Sequence, residues 1–183
     1  MFRNTSSGYG IVSIIVHWIS ALAVIGIFCL GFWMVDLTYY SAWYKTAPDI
    51  HKSLGVLLFI LTVLRLVWRW VNPQPKSAPS HKMWEKKASH YTHLLIYILL
   101  FAIMGSGYLI STADNRGIWV FDWFELASLG QLFNDQADIA GLIHQVLAYS
   151  LIGLACIHGL GALKHHFLDR DNTLTRMLKI TSK

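Results

Sequence analysis

Apolar residues gather in four long blocks along the chain, separated by short polar stretches. The blocks run over Ile11–Val35, Ile50–Val71, Tyr91–Thr112 and Ile139–Phe167. Each is long enough to cross a hydrocarbon core, which takes roughly 20 residues of α-helix. The breaks carry helix-ending chemistry. The first connection, 36–49, is rich in Tyr and Trp and ends at Pro48, and the second holds Asn72-Pro73-Gln74-Pro75, then Pro79 and a basic run. The third, 113–138, carries Asp114, Asp122, Glu125, Asp135 and Asp138. Its centre reads Ile118-Trp119-Val120-Phe121-Asp122-Trp123-Phe124-Glu125, the mixture of aromatics and acids expected of a short segment lying at a membrane interface. The pattern predicts an all-α membrane protein, a four-transmembrane-helix bundle forming one domain over 1–183.

Composition agrees with that frame. The 183 residues are 55% hydrophobic and only 14% charged, so the core is expected from packing of helices on helices and on a cofactor rather than from hydrophobic collapse. Basic residues set the orientation. Arg3, the second connection with its flanks (Arg65, Arg69, Lys76, Lys82, Lys86, Lys87) and the tail (Lys164, Arg170, Arg176, Lys179, Lys183) hold twelve, against three at Lys45, Lys52 and Arg116. That asymmetry predicts a multi-pass protein of the bacterial inner membrane with both termini and the second connection cytoplasmic. The net charge of +5 thus reports topology, and no nucleic-acid partner is expected. The first block is too long for a signal h-region and is expected to stay as an anchor. Cys29 and Cys156 fall at different depths, too far apart for a disulfide, and are expected as small apolar packers.

Histidines change the picture. His144 and His158 lie fourteen residues apart on the fourth block, on nearly the same helix face and about 21 Å apart along the axis. His51 opens the second block at the depth of His144. His17 lies inside the first at the depth of His158. Ionisable side chains within a bilayer mark functional sites by default. The simplest chemistry for two matched layers is two stacked haems, the outer held by His51 and His144 and the inner by His17 and His158, since haem iron takes imidazole on both axial sides in electron-transfer proteins. His93 shares the depth of His17 and competes for the inner site. His165 continues the stripe of His144 and His158 nearer the cytoplasmic edge, where a quinone head group could take its hydrogen bond. His90 and His166 read as interfacial polar residues, and His81 as a solvated one. Arg65, fourteen residues after His51 on the same face, suits a haem propionate or an anionic quinone. Gly55, Gly105-Ser106-Gly107, Gly153, Gly159 and Gly161 let either a helix or a flat macrocycle approach closely.

These residues resemble the bacterial cytochrome b561 family over nearly the whole chain. The marks are His17-Trp18, His51-Lys52-Ser53-Leu54-Gly55, His90-Tyr91-Thr92-His93, His144 with His158, and the tail Leu163-Lys164-His165-His166-Phe167 followed by Asp169-Arg170-Asp171-Asn172-Thr173-Leu174. The resemblance implies a small four-helix inner-membrane protein with two haems b, ligated at His17, His51, His144 and His158, exchanging electrons with membrane ubiquinone. A related enzyme resembles a superoxide:ubiquinone oxidoreductase, so an oxidoreductase with a periplasmic one-electron partner, either superoxide or a redox protein, is implied. Lys52, Lys45 and Arg116 could guide an anion to the outer side, while the acidic third connection opposes it. Two other readings are a haem-bearing membrane-anchor subunit for a soluble redox partner and a histidine-lined metal transporter, which the two-layer spacing disfavours.

Overall fold

The computed structural model describes residues 2–78 and 80–179. Pro79 and Lys183, read above as a helix break and a basic residue of the tail, lie outside the described residues. Four long helices carry the chain: α1 (Ile11–Met34), α2 (Thr46–Val71), α3 (Met83–Ser111) and α4 (Gln136–Phe167). All four are long and apolar enough to cross a membrane, matching the four blocks. A two-stranded antiparallel hairpin, β1 (Ile118–Val120) with β2 (Phe124–Leu126), joins α3 to α4, and a 3-10 turn at Thr175–Met177 follows α4.

Three helices start earlier than hydropathy alone predicts, α4 by three residues at Gln136. Helix α2 begins at Thr46, so Pro48 sits in its first turn, where the missing N–H has no helical partner to lose. Helix α3 begins at Met83 and takes in Lys86, Lys87 and His90. Glu85 explains this start. Its carboxylate accepts a hydrogen bond from the Lys82 backbone N–H at 2.8 Å, half of a capping box that caps a helix on a polar sequence.

The chain divides into two compact units, each built from segments of all four helices. The first comprises Met1–Ala21, Leu61–Tyr97 and Gly153–Lys183. Its N-terminal segment is folded onto α1 through Asn4, which is buried. The Asn4 Oδ1 accepts from Gly10 N at 2.9 Å and Ser13 Oγ at 2.7 Å, while Nδ2 donates to Pro73 O at 3.1 Å. Gly10 is required there, because a Cβ would fall on the Phe2 and Arg3 backbone. At the other end, Leu168 N and Asp169 N both donate to Lys164 O, and Arg170 adopts a left-handed conformation at φ 53°. That residue turns the chain back, and Asp171 N bonds His165 O at 3.0 Å.

The second unit comprises Leu22–Ile60 and Ile98–Ile152. Gln136, fully buried, staples the start of α4 by donating to Leu109 O at 2.8 Å and accepting from Leu132 N at 2.7 Å. The aromatic segment of the third connection is the hairpin. Ile118 and Val120 are buried and Trp119 and Trp123 exposed, with Phe121 and Asp122 both at positive φ in the turn. Such a turn costs energy for non-glycine residues. Ser53 holds it, its buried Oγ accepting from Phe121 N at 3.2 Å and donating to Trp119 O at 3.3 Å.

Polar residues such as Ser53, Thr62, Thr112 and Gln136 are among the most deeply buried, whereas Leu22, Leu64, Leu142 and Leu160 are exposed. An inverted distribution is expected where lipid tails, as apolar as leucine, meet the helix surface. Cys29 and Cys156 are both free and both exposed. They form no disulfide, as expected, but face outward rather than packing between helices.

The hairpin anchor is testable. Ser53→Ala leaves the Phe121 N–H and the Trp119 carbonyl without their partner and should destabilise the protein by about 1–3 kcal/mol. Hydrogen exchange should accelerate at the hairpin while remaining slow in α4; uniform acceleration would show that the hairpin is not a separate element.

Candidate functional site

The second unit brings His51 and His144 together with ring centroids 6.2 Å apart and planes at 69°. Helix α3 positions the His144 ring. The Ser106 hydroxyl donates to Ile103 O at 2.9 Å, and His144 Nδ1 lies 3.0 Å from the same carbonyl and 3.1 Å from Ser106 Oγ. A ring that donates from Nδ1 keeps the lone pair of Nε2 free for a metal. Two glycines make room for the rings. A Cβ at Gly107 would stand 3.1 Å from His144 Cε1, and one at Gly31 only 2.9 Å from His51 Cε1. The Ile27 carbonyl is the backbone acceptor beside the His51 ring, although His51 Nδ1 makes no hydrogen bond of full geometry.

The first unit brings His17 and His158 to 6.4 Å between centroids, planes at 68°. His93 is nearer to His158, at 4.9 Å. Metal–imidazole bonds of about 2.05 Å, with each ring nitrogen about 1.1 Å from its centroid, put two trans imidazoles about 6.3 Å apart. The His51–His144 and His17–His158 separations both fit one iron between trans rings. The His93–His158 separation is too short for a trans pair. Arg65 Nη2 donates to His17 Nδ1 at 2.8 Å and lies over Tyr97, its guanidinium carbon 5.9 Å from the ring centroid. An arginine cannot accept, so Nδ1 of His17 holds its lone pair toward Arg65. To bind iron through Nε2, His17 must carry its proton on Nδ1, and Arg65 must release it. An anionic carboxylate such as a haem propionate is a group that could take Arg65 instead.

The glycines separate into two kinds. A Cβ at Gly55, Gly105, Gly153, Gly159 or Gly161 would meet nothing within 4 Å, so none of these is there for a helix–helix contact. Gly31 was not singled out by the sequence, because one glycine in an apolar block carries no local sign that a ring from another helix lies against it.

His165 lies in a polar cluster of the first unit. Its Nδ1 is 2.7 Å from Asp169 Oδ2 and 3.4 Å from Asp171 Oδ2, yet it is buried and makes no hydrogen bond of ordinary geometry. Its ring stacks on His81 at 4.2 Å. His81 is therefore not a solvated residue of the connection: Nε2 sits 3.1 Å from Asp171 Oδ2 and 3.0 Å from Thr173 Oγ1. Burial pushes the Asp171 carboxyl up, but hydrogen bonds from Thr173 and Ser80 together with His81 outweigh it and hold the group down at about 2. Lys164 Nζ bridges Glu85 and Asp169, 2.6 Å from each. His165 is legible in the sequence but its partners are not, since the left-handed turn at Arg170 that precedes Asp171 has no glycine to announce it. His90 packs against Tyr91, and His166 against Phe167. Of the outer basic residues, Lys52 is paired with Asp49 at 2.8 Å, and Arg116 Nε donates to Asp114 at 2.7 Å.

Comparison with known proteins gives the family. Residues 8–179 match the prokaryotic cytochrome b561 family. The chain is 49% identical over 177 residues to cytochrome b561 homolog 2 of Escherichia coli (strain K12), covering 97% of this chain and 94% of that protein. Cytochrome b561 homolog 1 of the same organism is 25% identical over 169 residues, covering 90% and 93% of the two chains. A probable superoxide oxidase, CybB of Yersinia pestis, is 29% identical over 178 residues, covering 93% and 95%. The chain belongs to the prokaryotic cytochrome b561 family, membrane proteins of electron transfer, and the family implies haem of the b type.

The seating of the His51 ring can be checked without reference to any cofactor. Gly31→Val puts side-chain atoms where His51 Cε1 lies and should destabilise the protein by about 1–3 kcal/mol, the cost of overpacking. Gly26→Ala, whose Cβ meets nothing, should leave the unfolding midpoint unchanged. Equal effects would show that Gly31 has no special role.

Proposed function

We propose that this b561-family chain holds two haems b, one between His51 and His144 and one between His17 and His158, and carries electrons across the membrane between a periplasmic one-electron partner and ubiquinone. The observation that supports it is the matched separation of 6.2 and 6.4 Å in two imidazole pairs built from different helices. When bound, each haem would supply a one-electron couple whose potential its histidine ligands and their hydrogen bonds would tune. The residues of the chain do the rest. His51 and His144 would hold one haem, with Ile103 and Ser106 fixing the His144 ring. His17 and His158 would hold the other once Arg65, which donates to His17 Nδ1 at 2.8 Å, turns to a carboxylate. His165 and His93 offer hydrogen bonds to a quinone head group at the cytoplasmic edge, with Arg65 stabilising its anionic form. Reducing one ubiquinone to ubiquinol consumes two electrons and two protons, and the polar cluster around His165 is the ionisable surface from which protons would come. The basic asymmetry supports cytoplasmic termini.

Superoxide as the donor is a reading prompted by the name of the Yersinia relative. Oxidising two superoxide anions to two O2 supplies the two electrons. Lys52 and Arg116 are each held by a carboxylate, so their attraction for an approaching anion is reduced. A protein or small-molecule donor of no net negative charge fits that surface better, acting directly or with this chain as its membrane anchor.

The test is a haem-to-protein ratio with dithionite-reduced minus oxidised spectra of the purified protein. Two low-spin haems b per chain are expected. Replacing His51 or His144 with Ala should lower the ratio from two to one and leave the other haem's bands in place. His93→Ala should retain both haems and slow quinol formation. A His93→Ala protein that loses a haem while His17→Ala keeps two would overturn the assignment of the inner pair.

A further inference from the structure

The cluster around His165 has a geometry that hydrogen bonding alone does not use up. One ligand atom from each of His81, His165 and Asp171 lies within 4.8 Å of the other two, and they come from three separate segments: the α2–α3 connection, the last turn of α4 and the tail beyond Arg170. In a tetrahedral site with bonds of about 2.05 Å, neighbouring ligand atoms are about 3.3 Å apart. The two separations to Asp171 Oδ2 are 3.1 Å from His81 Nε2 and 3.4 Å from His165 Nδ1. His165 Nδ1 is buried without a hydrogen bond of ordinary geometry although Asp169 Oδ2 is 2.7 Å away, so a cation bound there takes the place of a proton between imidazole and carboxylate. The three side chains are 12%, 15% and 8% exposed, shielded but not sealed.

A second group, Glu85 with His165 and Asp169, is equally compact, but it already has its cation. Lys164 Nζ stands 2.6 Å from both carboxylates. Among the described residues Asp171 meets Ser80 Oγ, His81 Nε2, Thr173 N and His165 Nδ1, and no lysine or arginine nitrogen pairs with it. A half-buried carboxylate without a fixed positive charge, flanked by two imidazoles, is a setting in which a divalent cation gains.

We propose that His81, His165 and Asp171 form a binding site for one divalent first-row cation of the zinc class, separate from the two imidazole pairs. Two imidazoles and a carboxylate are a borderline-soft donor set that favours Zn2+ over Mg2+ or Ca2+, and a water fills the fourth position. Tetrahedral ligation sets the His81 and His165 centroids about 5 Å apart, so binding opens their 4.2 Å stack by about 1 Å. Asp169 Oδ2 stands 2.7 Å from the same His165 nitrogen, and Lys164, 2.6 Å from that oxygen, holds it when the cation takes the nitrogen. The proposal rests on this geometry and not on the functional reading above. One connection follows if both hold: a cation on His165 removes that imidazole from a quinone, so Zn2+ would also inhibit quinol formation.

The experiment uses the haem-loaded protein in detergent, stripped of adventitious metal with a chelator and titrated with Zn2+ against a chromogenic zinc chelator. One Zn2+ per chain is expected, with haem content and spectrum unchanged. His81→Ala and Asp171→Asn should each weaken binding by about tenfold or more, and Glu85→Gln should not. No stoichiometric Zn2+ on the wild-type protein, or binding that survives both His81→Ala and Asp171→Asn, overturns the site and assigns any zinc to other histidines. A measurement on the wild-type protein alone guards against misfolded variants. Zn2+ should protect His81 and His165 from diethyl pyrocarbonate, read by mass spectrometry; protection confined to His90 or His166 would sink the proposal. Haem stoichiometry is read separately, so loss of the functional reading and loss of the zinc site are distinguishable.

Discussion

A polar side chain carried into an apolar span must find its partner inside the protein, because lipid offers none. That constraint organises both units. Each helix carries few polar groups, and those few meet each other: His144 with Ser106 and the Ile103 carbonyl, His17 with Arg65, Gln136 with Leu109 and Leu132. Apolar side chains, which lipid solvates as well as protein does, can stay outside. The result is a protein whose specificity resides in a small set of hydrogen bonds and ring contacts rather than in a packed aliphatic core. Such bonds cost most when broken in a buried setting, so they also fix the register of the helices that bear them.

Each unit contains one complete imidazole pair. Both rings of the His51–His144 pair and the groups that orient them belong to the second unit, and His17, His158, Arg65 and His93 all belong to the first. The geometry of a pair is therefore set locally, by contacts within its own unit. The second shells differ in kind. A backbone carbonyl faces His144 Nδ1, whereas a guanidinium faces His17 Nδ1. A carbonyl draws a proton on Nδ1 toward itself and makes the ring a stronger donor; a cation works the other way. The two imidazole pairs thus sit in unlike electrostatic surroundings.

Much of this was legible in the sequence, for a physical reason. Long apolar runs announce helices by themselves, and a repeat of fourteen on one helix puts His144 and His158 on one face whatever the neighbours do. What the sequence withheld depends on contacts between distant segments or on local backbone turns. The hairpin 118–126 has strands of three residues, too short for alternation to register. Its turn uses Phe121 and Asp122 at positive φ instead of a glycine. Asp171 and His81 meet His165 only because Arg170 turns the chain, and basic residues around His81 made that histidine look solvated. Helix α3 starts at Met83 because Glu85 caps it, although charge there argued for a connection.

The competition between His17 and His93 shows how a distance decides what depth could not. Both histidines sit near His158, and hydropathy puts them at the same level. Two imidazoles that share a metal across a flat macrocycle must stand apart by both bonds and both half-rings, about 6.3 Å. Rings that merely touch come closer. His17 meets the first condition at 6.4 Å and His93 the second at 4.9 Å. The nearer histidine is thus the poorer axial partner. A ring in contact with a ligand's edge, free of the metal, keeps both nitrogens for hydrogen bonding, which is the property a quinone-facing residue needs. Proximity and ligation thus make opposite demands on spacing, and the two histidines differ in which of those demands their distance to His158 meets.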